Sequence, residues 1–233
     1  MKKTFRILLI GIMLVSCKEK NKTTKVKSLK VVVDTELKEN ISTIIDSLYT
    51  VDQKIQLDLI QAAKNGESHK MKELFSEEKE IFERHIPILK DIYNEIGYPT
   101  IELVGKENSS KFFTLIQHSD SDINFQKKML KEITREVKKG NVSGKDYAFL
   151  TDKVQLAQEN PQIYGTQLDY NTDIGQAFPK HLIDSINVNR RRKEIGLEPI
   201  GEYLNKVTKM HFQMNKAHYD KIGVKEPKLY KIE

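Results

Sequence analysis

The chain reads as mainly α, a single helical domain with a small β-hairpin near residues 162–183. Three observations predict that class. Apolar residues recur at three- and four-residue spacing over most of the sequence, glycines punctuate these stretches, and the period shortens to two only around Gln162 to Leu168. Hydrophobic residues make up 38% of the chain and charged residues 31%, enough apolar surface for a core and too much for a disordered chain.

A segment of another kind stands ahead of the domain. Lys2, Lys3 and Arg6 precede an apolar run from Ile7 to Val15 that ends in Leu14-Val15-Ser16-Cys17. A basic start, a short apolar stretch and small residues before the cut describe an export signal, here residues 1–16, and the run is too short for a permanent membrane helix. Cys17 then sits where a lipoprotein is acylated, with a diacylglycerol and a further chain such as palmitate giving stable anchorage. It is the one cysteine of the chain, so neither a disulfide nor a cysteine metal site is expected, and no metal or cofactor is implied. Lys18 follows Cys17 where an inner-membrane retention signal would have Asp, which favours the outer membrane, facing periplasm or exterior. Residues 17–30, lysine-rich and poor in packing groups, read as a tether, leaving 31–233 as the domain. Three of the six formal positive charges belong to the signal, and the remainder is too evenly spread to predict a nucleic-acid partner.

Within the domain, Leu37, Ile41, Ile44, Ile45 and Leu48, then Ile55, Leu57, Leu59 and Ile60, predict two helices or one bent one, closed at Asn65-Gly66. Ser68 to Ile96 reads as a longer helix with Leu74, Phe75, Ile81, Phe82, Ile86 and Leu89 on its apolar face, kinked or restarted at Pro87 and stopped by Gly97. Thr100 to Gly105 reads as a short strand or an extended lead-in. Phe112, Leu115 and Ile116 mark a helix ending near His118, and Asp122 to Lys139 a further one closed by Gly140. Ser143 and Asp146 form a capping-box pattern for a helix carrying Tyr147, Leu150 and Val154. Gln162 to Leu168 and Gly175 to Ile183 supply the hairpin. Helices over 188–195 and from Pro199 toward Met214 complete the chain.

Three clusters carry candidate chemistry. In Gln117-His118-Ser119-Asp120-Ser121-Asp122 a histidine follows an apolar face and carboxylates follow within a turn, the combination used for proton transfer near neutral pH. The plainer reading of the same residues is that Asp120 and Asp122 cap the next helix while His118 bonds a loop carbonyl. In Pro161-Gln162-Ile163-Tyr164-Gly165-Thr166-Gln167, alternation aims Tyr164 and Gln167 to opposite sides unless Gly165 introduces a bulge or close backbone approach. Arg190-Arg191-Arg192 point about 100° apart on a helix, so one or two at most face inward to grip an anionic group. Gly-x-Ser-x-Gly, His-Glu-x-x-His, the phosphate-binding loop and the dinucleotide fingerprint are all missing, which removes the commonest hydrolase, metalloprotease and nucleotide readings.

Taken in order, Asp52-Gln53, Gly97-Tyr98-Pro99-Thr100, Val104-Gly105, Gln117-His118-x-Asp120, Phe125-Gln126, Tyr147-Ala148-x-Leu150-Thr151-Asp152, Pro161-Gln162-x-Tyr164-Gly165-Thr166-Gln167 and Arg191-Arg192-x-x-x-Gly196-Leu197 resemble a bacterial family called domain of unknown function 6624. Asn189 stands where that family has an acidic residue. The resemblance implies no activity, substrate or cofactor, but implies that the three clusters share one site. The expected function is accordingly a membrane-anchored envelope lipoprotein of unknown activity with a polar pocket for a small or anionic ligand: His118 as base with Asp120 as its partner, and Gln117, Tyr164, Gln167 and Arg191 holding the ligand. The alternative is a non-catalytic module that displays a helical surface to an envelope protein.

Overall fold

Regular apolar spacing produces a helical stack in which the polar residues that break the pattern lie on packed faces. The computed structural model describes residues 22–232, with side chains from Thr35 on. The signal peptide, Cys17 and the first residues of the expected tether lie outside the described residues. The chain divides after Leu37, and Lys38–Glu233 forms the compact unit considered below. None of the described helices is long and apolar enough to cross a membrane.

Helix α1 (Lys22–Asn65) is a single helix where the sequence allowed two, and its backbone already covers the second half of the lysine-rich tether. Within the compact unit its buried stripe reads Ile41, Ile45, Leu48, Asp52, Ile55, Leu59 and Ala62, a strict alternation of four- and three-residue steps. α2 (Ser68–Ile96) packs Leu74 and Ile81 against Ile55, Leu59 and Ala62. Leu57 and Phe75, expected on apolar faces, are instead exposed. α2 continues through Pro87 without a restart, because that residue faces solvent and the carbonyl it leaves unpaired is open to water. Gly97, at φ 75°, ends α2 and donates its N–H to Tyr93 O.

The stretch expected as strand or lead-in begins α3 (Ile101–Gln117), with the Thr100 hydroxyl accepting from Leu103 N. One turn later Gly105, at φ 79°, breaks the helical path before it resumes. α4 (Ile123–Val137) starts at Asp122, whose carboxylate caps Phe125 N at 3.0 Å. α5 (Gly144–Ala157) is capped as its box pattern predicted, with Ser143 Oγ accepting from Asp146 N. α3, α4 and α5 pack on one another through Phe112, Ile116, Met129, Ile133, Leu150 and Val154, all buried.

The hairpin exists but is shorter than the sequence predicted: β1 (Leu168–Asn171) pairs antiparallel with β2 (Gln176–Pro179), Tyr170 opposite Ala177. Gln162–Gln167 is a loop, tied to the residues after β2 by a bridge from Gln162 to Leu182 and by Lys180 N donating to Gln167 O. α6 (Val188–Glu194), α7 (Ile200–Met214) and α8 (Lys216–Lys221) follow. α7 lies along β2, where the Thr208 hydroxyl accepts from Ala177 N at 3.0 Å. The acidic position of the resemblance, Asn189, uses its Oδ1 to accept from Ile200 N at 2.8 Å, a capping role that an aspartate oxygen would fill equally. Mainly α with one small hairpin is therefore the architecture of the chain.

Candidate functional site

Asp52 occupies a register position of the α1 stripe that the neighbouring turns give to Ile and Leu, and it is completely buried. A carboxylate there must be hydrogen-bonded, because an unpaired buried charge is strongly unfavourable. Its Oδ1 accepts from Gln53 Nε2 at 2.8 Å, and its Oδ2 lies 2.6 Å from His118 Nδ1. An ionised carboxylate is an acceptor only, so the proton between them sits on Nδ1, and Nε2 is left as the nitrogen facing away from Asp52. Nε2 has no hydrogen-bond partner among the described residues, and about a quarter of the side chain is exposed (26%). Phe82 stacks on the imidazole with ring centroids 4.6 Å apart. α1 thus supplies the carboxylate, α2 the stacking ring, and the C-terminus of α3 the imidazole.

A second histidine adjoins the pair. His85 is on the packed face of α2, and its Nδ1 is buried with no partner among the described residues. Burial holds its pKa below the ordinary histidine value, Arg84 and His118 acting in the same direction and the Asp52 charge opposing them. Burial thus disfavours its protonated form.

The carboxylate predicted to orient His118 does something else. Asp120 is largely exposed; it pairs with Lys153 Nζ at 2.8 Å and accepts from Gln126 Nε2 at 3.0 Å. The buried Gln126 amide also reaches Ile116 O and Gln117 O, so this cluster secures the α3–α4 corner. Lys153 adds a bond to Gln117 O. The side-chain Nε2 of Gln117 is buried without a partner among the described residues, a state that costs about 1–3 kcal/mol unless something else meets it.

The second cluster is organised around Asp152 of α5, also completely buried. Its Oδ1 accepts from Ile163 N at 2.7 Å and Tyr164 N at 2.9 Å, and its Oδ2 from Thr166 N at 2.8 Å and the Thr166 hydroxyl at 2.9 Å. These bonds occupy the backbone donors that a strand would offer to a partner, which is why the expected strand is a loop. Gln162 locks the same loop, its Oε1 accepting from Gln167 N and its Nε2 donating to Gln167 O and Lys180 O. Gly165 provides the close approach expected of it: φ is 71°, and a Cβ would lie 2.6 Å from Ile200 Cδ1.

The arginines complete the clamp. Arg192 is buried; its Nε donates to Glu198 O and its Nη1 to Tyr164 O, both at 2.7 Å, and its guanidinium lies over the Tyr203 ring. Burial pushes the Tyr203 hydroxyl up to about 12, and that hydroxyl donates to Thr166 O at 3.0 Å. Arg191 donates to Ile163 O, Ile183 O and Asp184 O and pairs with Asp184.

The predicted site residues therefore fall into three places. His118 belongs to the Asp52 pair. Tyr164 is buried beside Tyr147 at a groove formed with Val142, Gly144 and Ile195, and desolvation raises its pKa. Gln117 and Gln167 line one cleft of about 750 Å³ between the end of α3, α5, β1 and α7. Arg191 is engaged by loop carbonyls and lines none of these. Sequence reasoning missed Asp52, His85, Asp152 and Arg192 as the organising groups. The signal was the register: Asp52 and His85 interrupt stripes that are otherwise apolar.

Among the described residues no group of three His, Cys, Asp or Glu side chains could hold a metal ion. Fold and site together define a mainly α protein with an oriented His–Asp pair and an arginine-clamped loop. The profile of a family of unknown function, DUF6624, matches residues 40–213, and the chain belongs to that family. No curated protein and no solved structure matches the chain.

Proposed function

We propose that the protein is a bacterial envelope lipoprotein, anchored through Cys17, whose helical domain performs proton transfer on a small or anionic ligand with His118 as general base and Asp52 as its positioning residue. One observation carries the chemical part: a fully buried carboxylate 2.6 Å from Nδ1 fixes the ring while Nε2 remains unpartnered. A base oriented in this way removes a proton from water or a hydroxyl as that oxygen attacks an acyl or phosphoryl centre, then returns it to the leaving group. Gln53 on the other carboxylate oxygen and Phe82 on the ring face restrict both partners to the productive arrangement.

The test is hydrolysis of p-nitrophenyl acetate by the purified chain. His118→Ala and Asp52→Asn should each lower turnover by about 10²–10⁴-fold. Equal rates for wild type and both variants would refute the base assignment. The anchor is tested separately: Cys17→Ser should release the protein from membranes, and unchanged fractionation with unchanged mature mass would refute it.

A further inference from the structure

We infer that the cleft containing Gln117 and Gln167 binds an organic anion with a flat, aromatic-sized body. Its volume of about 750 Å³ lies within the range of small-molecule sites. Phe149 and Tyr203 line it as a T-shaped pair, ring centroids 6.3 Å apart and planes 83° apart, and together form an aromatic wall for a flat body to lie against. Lys145 and Lys206, both exposed, stand at its lining, and Arg192 lies at its back; Glu198 is the one acid among the lining residues. The surplus is positive.

Gln117 makes this more than a basic dent. Its Nε2 is a buried donor with no partner among the described residues, and the residue borders the cleft. A turn of that side chain toward the cleft offers a ligand acceptor the donor that the protein leaves unused. Gln167, whose Nε2 makes a 3.2 Å bond to Thr166 Oγ1 and only a 3.5 Å contact with Phe149 O, supplies a second carboxamide. Anionic oxygens are thus met by ammonium groups and amide donors, and the body by two rings. Neither the Tyr164 groove nor the Asp152 loop combines these elements. The assignment rests on the small-ligand part of the proposed function and not on its chemistry.

The test uses naphthalene-2-sulfonate, with naphthalene-2-sulfonamide as the neutral ring and methanesulfonate as the ringless anion, titrated into the full chain by calorimetry. The sulfonate should bind at least about fivefold more tightly than either relative, and the Lys145→Glu/Lys206→Glu double variant should weaken it about tenfold, more at low salt than at high. Those lysines are exposed, and an unchanged melting temperature checks that the variant folds. The Gln117 side-chain amide should shift in NMR spectra on addition of the sulfonate. Absent binding, equal affinity for the sulfonamide, or an affinity indifferent to the two lysines overturns the inference. Binding is read without turnover, so its failure leaves the His118–Asp52 assignment standing, and failure of ester hydrolysis leaves this one standing.

Discussion

Asp52 and Asp152 are both completely buried aspartates on helices, and they do opposite things. Asp152 accepts three backbone N–H groups and a hydroxyl from one loop, so its charge is consumed in holding the chain. Asp52 accepts from one amide and one imidazole, and the imidazole retains a second nitrogen. A buried carboxylate surrounded by backbone donors is architecture; one whose partner is itself titratable transmits its charge to a reactive atom. Burial alone does not separate them, whereas the identity of the donors does.

Replacement of each aspartate breaks the comparison most directly. Asp152→Ala leaves the loop's donors unmet and should destabilise the domain by at least about 3 kcal/mol in urea titrations, with the loop from Gln162 to Gln167 losing hydrogen-exchange protection first. Asp52→Asn keeps size and one acceptor, so its stability cost should be smaller than that of Asp152→Ala by about 1 kcal/mol or more while His118 chemistry collapses. Equal stability losses would show that Asp52 too is chiefly architectural.

His85 sharpens the comparison through pH. Its folded pKa lies below the ordinary value of 6.5, mainly through desolvation. The unfolded chain therefore takes up the proton first, and the stability from neutral His85 is present above pH 6.5 and lost as pH falls through the depressed folded value. His85→Phe should flatten that acid limb, removing about 1 kcal/mol of the loss per pH unit, while His211, also lowered by burial, keeps a residual slope. An unchanged limb would place the titration elsewhere.

The smallest effect belongs to Asp120. Its pairing with Lys153 is half open to water, so Asp120→Asn should cost less than about 1 kcal/mol and leave turnover within about twofold. A collapse of activity would restore it as the partner of His118.

Much of the architecture was legible because helix periodicity and capping are local. Ser143 capping Asp146 N, Asp122 capping Phe125 N and Gly97 ending α2 needed only a few neighbouring residues. The strand over Gln162–Gln167 was misjudged because its hydrogen-bond partners lie in α5, ten or more residues upstream. His118 was legible as a candidate with a carboxylate partner, but that partner is 66 positions away, so the nearer Asp120 took its place in the sequence reading. Arg191 looked like a ligand group because polar side chains holding loop carbonyls and those awaiting a ligand have the same composition; only their partners differ.

The tautomer of His118, read from imidazole ¹⁵N shifts, tests the central claim most directly. The expected result, read in the neutral ring, is a proton on Nδ1 and a bare Nε2, with that pattern lost in Asp52→Asn and kept in Asp120→Asn. A ring protonated at Nε2 alone, or one that responds to Asp120→Asn and not to Asp52→Asn, would contradict it.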